Sequence, residues 1–156
     1  MRRNRKAGLD LEALPGHYIR RLQQIAVAIF LQETEKHGVT PVQYATLHKV
    51  DIAPAIDQRT LARAIGLDTS TIAGVIDRLE ARGLMQRSAS PEDRRVRLLS
   101  LTRAGQDLLK AIEPDMLKAQ ERILAPLPQA ERVEFMRMLR ALVTANNELS
   151  RAPSDT

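Results

Sequence analysis

The stretch IDQRTLARAIGLDTSTIAGVIDRLEARG, residues 56–83, constrains the fold more than any other part of the chain. It contains two short amphipathic segments that start in the same way. Asp57 follows Ile56 and precedes Leu61, and Asp68 follows Leu67 and precedes Ile72. An aspartate in such a place caps a helix by accepting hydrogen bonds from first-turn amides, and the apolar residues on either side staple the chain across the cap. Gly66 lies between the segments and Gly83 follows the second. The pattern predicts a helix over about 58–65, a tight turn, and a helix over about 69–82. That order is a helix-turn-helix.

On a helical wheel, Ile72, Val75, Ile76 and Leu79 share one face of the second helix. The opposite face carries Ser70, Gly74, Asp77, Arg78 and Ala81, with Thr71 at its edge. A small, polar face with one strong cation suits close approach to a DNA major groove about 12 Å wide. Glycine inside a helix costs about 1 kcal/mol relative to alanine, so Gly74 is either tolerated or marks such an approach. Thr69, Ser70 and Thr71 open the helix, where free amides and hydroxyls suit phosphate. Arg78 suits guanine or phosphate, or pairs on the surface with Glu80 or Asp77.

The next stretch, SASPEDRRVRLLSLT, predicts a hairpin. Its strands are Leu84 to Ser88 and Val96 to Leu101, with the turn at Ser90-Pro91-Glu92-Asp93. Arg94, Arg95 and Arg97 crowd the tip and return edge. Alone, they either guard an exposed strand edge or meet an anion. Asp77 is out of place on a DNA-facing surface, and pairing with a wing arginine would account for it.

The flanks predict helices. Residues 1 to about 12 form a mobile basic arm, and a first helix runs from about Pro15 to His37. Its segment IAVAIFL is apolar on every side, which requires burial either in the chain's own core or under a second subunit. Thr40-Pro41 starts a helix to about Val50, and Pro54 breaks the chain. Thr102 caps a long helix to about Leu124, with a kink expected at Pro114. A last helix spans about Gln129 to Leu149, and Ser150 to Thr156 is a flexible tail. The fold class is therefore mainly α with a small β-hairpin wing.

The net charge of +5 and pI near 10.1 favour an anionic partner. Aromatic residues make up only 3%, too few for single-strand binding by base stacking, whereas duplex binding needs none. Having no cysteine, the chain lacks disulfides, thiolate catalysis, thiol redox sensing and Cys-ligated zinc. His17, His37 and His48 show no metal-ligand spacing, and no catalytic set stands out, so neither an enzyme nor a metal or other resident cofactor is expected. No apolar run spans a membrane and no signal peptide is visible, so a soluble cytoplasmic protein is the expectation.

Residues Thr60 to Gly105 resemble the MarR family of winged helix-turn-helix regulators, chiefly through IDRLEARGLMQR and SPEDRRVRLLSLTRAG. TPVQYATL, from Thr40 to Leu47, is similar to the family's second helix, and the long helices extend the resemblance to about residues 14–149. It implies a single domain over 13–149, with the winged helix-turn-helix at about 40–102 and dimerisation helices at about 14–37 and 103–149. It further implies a homodimer, usually a repressor, that binds pseudo-palindromic double-stranded DNA and is released by a small-molecule inducer. Thr69, Ser70, Thr71, Gly74 and Arg78 would meet the DNA with Asp93, Arg94, Arg95 and Arg97. One of Arg94 and Arg95 would enter the minor groove beside Asp93.

The resemblance places the inducer between the first two helices. There His17, Arg20, Arg21, Gln24, Tyr44 and His48 suit an aromatic carboxylate or its acyl-CoA thioester, although Arg20 or Arg21 could instead form an intersubunit salt bridge. LPGHYIRRLQQIAVAIF is also similar to regulators of aromatic-acid degradation. A winged-helix module for protein–protein contact is the alternative function.

Overall fold

A computed structural model describes residues 8–153. Helices α1 (Pro15–Thr34) and α2 (Pro41–Ile52) come first, then strand β1 (Ile56–Asp57). Helices α3 (Gln58–Ile65) and α4 (Thr69–Ala81) lead into strands β2 (Met85–Ala89) and β3 (Arg97–Leu101). Helices α5 (Arg103–Leu124) and α6 (Gln129–Ala145) follow, and 3-10 turns lie at Leu11–Ala13, Glu35–His37 and Asn147–Leu149. The architecture is the winged helix-turn-helix with long flanking helices.

Each helix of the lobe starts on a side-chain cap. Thr40 and Gln43 form a reciprocal capping box, Asp57 accepts from the Thr60 amide at 2.8 Å, and Asp68 accepts from the Thr71 amide at 2.7 Å. Thr102 accepts from the Gly105 amide at 3.1 Å and donates its hydroxyl to the Gly83 carbonyl at 2.6 Å. That second bond ties the start of α5 to the end of the recognition helix. Gly105 is buried in this joint, where a Cβ would stand 2.1 Å from the Leu84 carbonyl oxygen.

The sheet has three strands, in the order β1-β3-β2. The hairpin was legible, but β1 was not. Ile56 pairs with Leu99 and Asp57 with Leu98. Ala55, at φ +64, turns the chain into this pairing and donates its amide to the Leu99 carbonyl at 3.0 Å. Asp57 therefore serves both as a strand residue and as the cap of α3.

The core joins α2, α3, α4, the sheet and α5 through Leu47, Leu61, Ile72, Ile76, Leu79, Met85, Leu99 and Ile112. Burying each such side chain contributes about 1.5–3 kcal/mol.

Several expectations need correction. The wing loop spans 90–96: the Ser90 amide bonds the Val96 carbonyl, and the turn itself closes between Asp93 and Val96, not over 90–93. Helix α5 continues through Pro114, which lies on its exposed side. Helix α6 ends at Ala145, where the Asn146 side chain donates to the Leu142 carbonyl, and a 3-10 turn completes the expected span. Within the expected arm, Asp10 caps a 3-10 turn, Leu11–Ala13. Residues 1–7 lie outside the described part. In the expected tail, the Pro153 carbonyl accepts from Arg63 Nε of α3 at 3.2 Å, and 154–156 lie outside the described part.

Candidate functional site

The recognition helix α4 packs through Ile72, Val75, Ile76 and Leu79, all buried. Thr69, Ser70, Thr71, Asp77 and Arg78 are exposed on its other side. A Cβ on Gly74 would meet only the Arg78 guanidinium, at 3.9 Å, so nothing within the described residues requires a glycine there. The Asp68 carboxylate accepts from the Ser70 and Thr71 hydroxyls, each at 2.7 Å, as well as from the Thr71 amide. These bonds hold its carboxyl well below the usual aspartate range. With their protons given to Asp68, Ser70 and Thr71 present acceptors outward. An acceptor matches the exocyclic amino group of adenine or cytosine better than a phosphate.

At the wing tip, Asp93 Oδ1 accepts from the Arg95 amide at 3.0 Å and lies 3.8 Å from Arg95 Nε. The Arg95 side chain is nevertheless 95% exposed. Arg94 and Arg97 are exposed as well. Arg95 and Arg97 face, across a concavity of about 640 Å³, Arg59 and Thr69 at the starts of α3 and α4. Asp57 also lines the concavity and takes up the Thr60 amide, but the three guanidiniums outnumber its one carboxylate, so the net charge suits an anion. Arg59 was missed by sequence reasoning. Its signal was its place just inside the Asp57 cap.

Asp77 does pair with a wing arginine, though not with one at the tip. Its partner is Arg87 on β2, which donates to the Asp77 carboxylate and, at 3.4 Å, to the Ala73 carbonyl. The reason is register: β2 packs on α4, whereas Arg94 and Arg95 lie beyond the last strand pair, Ala89 with Arg97. Asp77 fixes the root of the wing, not its tip.

A second feature is a cavity of about 470 Å³ between α1, α2 and α5. Val27, Phe30, Tyr44, Met116 and Ile123 form apolar walls, and Gln23, His48, Lys49 and Gln120 supply polar groups. The Phe30 and Tyr44 rings lie 6.1 Å apart and those of Tyr44 and His48 6.0 Å apart. Burial, and then the charge of Glu113, pushes the Tyr44 phenol up from its ordinary value, so it stays a donor. Tyr44, His48 and Met116 also line a neighbouring cavity of about 540 Å³ that contains Asp51, Lys110 and Glu113.

Of the expected ligand residues, Tyr44 and His48 line the cavity. Arg20 lies one turn before Gln23 and on the Val27 side of α1, outside the lining. Arg21 and Gln24 are exposed on other sides, and the His17 ring packs edge-on against Tyr18 at 5.4 Å. Lys49 was not anticipated, nor was Gln120, because the wall from α5 was not considered.

Among the described residues no group of three His, Asp or Glu side chains is arranged to hold a metal ion. No helix among them is long and apolar enough to cross a membrane.

Comparison with known proteins agrees with this geometry. Residues 39–96 match the model of the MarR family. The chain is 33% identical, over 88% of its length and 87% of the relative's, to the HTH-type transcriptional repressor NicR of Pseudomonas putida. It is similar to the PcaV transcriptional regulator of Streptomyces coelicolor in complex with its natural ligand, at 35% identity and TM-score 0.81, covering 89% of this chain and 98% of that one. It is also similar to Bordetella bronchiseptica BpsR, whose DNA binding is regulated by 6-hydroxynicotinic acid, at 32% identity and TM-score 0.82, covering 86% and 96%. With a recognition helix, an arginine-tipped wing and relatives matched over nearly their whole length, the chain belongs to the MarR family of DNA-binding transcriptional regulators.

Proposed function

We propose that the chain is a homodimeric repressor acting in the cytoplasm. It reads a pseudo-palindromic duplex through α4 and the wing, and releases it when an aromatic carboxylate or its acyl-CoA thioester enters the α1–α2–α5 cavity. The observation that carries this reading is the wing tip. Asp93 ties down the Arg95 backbone and lies 3.8 Å from its Nε, while the guanidinium stays exposed to solvent. A cation preset in this way suits a narrow, A·T-rich minor groove, where negative potential is concentrated. This supports Arg95, aimed by Asp93, as the groove residue. Arg97, Arg59 and Thr69 then face backbone phosphate, and Ser70, Thr71, Gly74 and Arg78 face base edges.

The dimer reading rests on exposed apolar surface. Ile19 and Ile25 of α1 and Val133, Leu142 and Val143 of α6 are all exposed in the isolated chain. A second copy laid on these faces would remove them from water and present two recognition helices with two-fold symmetry. The effector reading rests on the paired rings of Tyr44 and Phe30 beside His48 and Lys49, which match a flat ring bearing an acid. Regulation of BpsR by 6-hydroxynicotinic acid supports the same class. On this reading Arg20, one turn before Gln23 on α1, grips an acid at the cavity mouth or else a carboxylate of the second copy.

The decisive measurement is duplex binding across a salt series, on a site selected from a random pool. A steep loss of affinity with salt is expected. Arg95→Ala should weaken binding by about 1–3 kcal/mol, and Arg94→Ala by less. Unchanged affinity for Arg95→Ala overturns its assignment. Affinity that ignores salt favours the protein-contact module. Benzoate, hydroxycinnamate and their CoA esters should each be titrated into the complex, and release by none of them would end the aromatic reading.

A further inference from the structure

The junction between α1 and α2 is held from two sides. Asp115 of α5 meets His37 Nε2 at 2.8 Å and Lys36 Nζ at 3.0 Å. Arg82, at the end of α4, donates from Nη1 to the Gly38 carbonyl at 2.7 Å and from Nη2 to the His37 carbonyl at 3.2 Å. Gly38 makes this possible with a left-handed backbone, φ +62, that turns the chain toward α2. His37 is thus joined through its ring to α5 and through its carbonyl to the recognition helix. The ring is nearly enclosed, with 9% of the side chain exposed. It lies outside both the DNA-facing surface and the lining of the cavities described above. On α5 the next residue, Met116, lines those two cavities.

We propose that His37 is a positioning residue for DNA recognition: it anchors the carbonyls that grip Arg82 to Asp115, and gaining a proton tightens the anchor. The proposal rests on the reading of α4 as the DNA-reading helix. A neutral imidazole N–H donates to the Asp115 carboxylate as a dipole only. The imidazolium adds the attraction between two opposite full charges to the same bond. Histidine is the side chain whose ordinary titration falls between about pH 5 and 8. Asp115, facing it from α5, favours the cation, whereas Lys36 beside it and Arg82 from α4 oppose it. Lys118, a turn along α5, is taken up by Glu33. The hydrogen bond from His37, and then that from Lys36, holds the Asp115 carboxyl below the usual range, so Asp115 stays charged while the imidazole titrates. The hold on the end of α4 is then firmer at the acid end of the imidazole range and looser at the basic end.

The test starts on the free protein and needs neither operator nor effector. NMR follows the His37 imidazole and the Arg82 and Gly83 amides from about pH 5.5 to about pH 8.5. Both amides are expected to shift with the His37 midpoint. The linked shift should disappear in His37→Gln, which retains an amide donor, and in Asp115→Asn. Amides that ignore the His37 midpoint, or that shift identically in His37→Gln, overturn the proposal. On a selected duplex, wild-type affinity should rise up to about fivefold between about pH 8 and pH 6, by more than that of His37→Gln. Linked amides without binding to any duplex would sink the DNA reading of α4 and leave the coupling standing. Duplex binding with unlinked amides would sink the coupling alone.

Discussion

In the winged lobe Leu61, Ile72, Ile76, Leu79 and Leu99 are wholly inaccessible to solvent, whereas α6 buries no residue, and its Val133 is 70% exposed. Both regions are helix-rich and both carry apolar residues at helical spacing. The difference is in what lies opposite. The lobe surrounds its apolar face with α2, the sheet and the start of α5. Helix α6 lends Phe135, Met136 and Leu139 to an open groove with α1 and α5 and pairs Arg132 with Glu121 of α5, but leaves the rest of its apolar residues uncovered. An amphipathic pattern shows that a face must be covered, but not whether the same chain covers it. In this molecule the first pattern is closed by the chain, and on our proposal the second is closed by another copy.

The largest expected effect tests that contrast directly. Leu142→Arg puts a charge into the proposed seam, where an uncompensated buried charge costs about 3–5 kcal/mol, so self-association should fall by more than about a hundredfold. Sedimentation should show monomers while the lobe melts as before. An unchanged oligomer breaks the comparison, and so does global unfolding. Next, Gly105→Ala drives a Cβ onto the Leu84 carbonyl inside the lobe and should lower thermal stability by about 1–3 kcal/mol without altering association.

Asp68→Ala removes the cap of α4 and should cost about 1 kcal/mol. Because the folded state holds the Asp68 carboxyl below its ordinary value, the stabilisation from its charge is present above that value. It is lost as pH falls through the lower, folded value. Acid unfolding curves of wild type and Asp68→Ala should therefore converge only at strongly acid pH. The smallest effect is the most discriminating for recognition. Gly74→Ala has room in the described structure and should stabilise α4 by up to about 1 kcal/mol. Weaker duplex binding by this more stable variant would mark close approach to the groove, and equal binding would mark a tolerated glycine.

Features that depend on neighbours within a turn of helix were legible in the amino-acid order. The caps at Asp57, Asp68 and Thr102, the wing and the inward stripe of α4 all belong here. Features that depend on distant partners were not. β1 has two residues, too few for any alternation to register, and exists because Leu98 and Leu99 lie opposite. Asp77 was open to any nearby arginine, and only the packing of β2 on α4 selects Arg87. The cavity needed α5, far along the chain, to bring Met116 and Gln120 against Tyr44.

The sequence by itself determined a capped helix-turn-helix, a basic wing and an apolar surplus in the terminal helices, because local sterics, capping hydrogen bonds and periodicity act between near neighbours. Tertiary structure alone decided which aspartate holds which arginine, where the cavity opens, and that His37 stands between α5 and the recognition helix. Those contacts join residues from ten positions apart, as Asp77 and Arg87, to 78, as His37 and Asp115, and their geometry exists only once the core has brought the elements together.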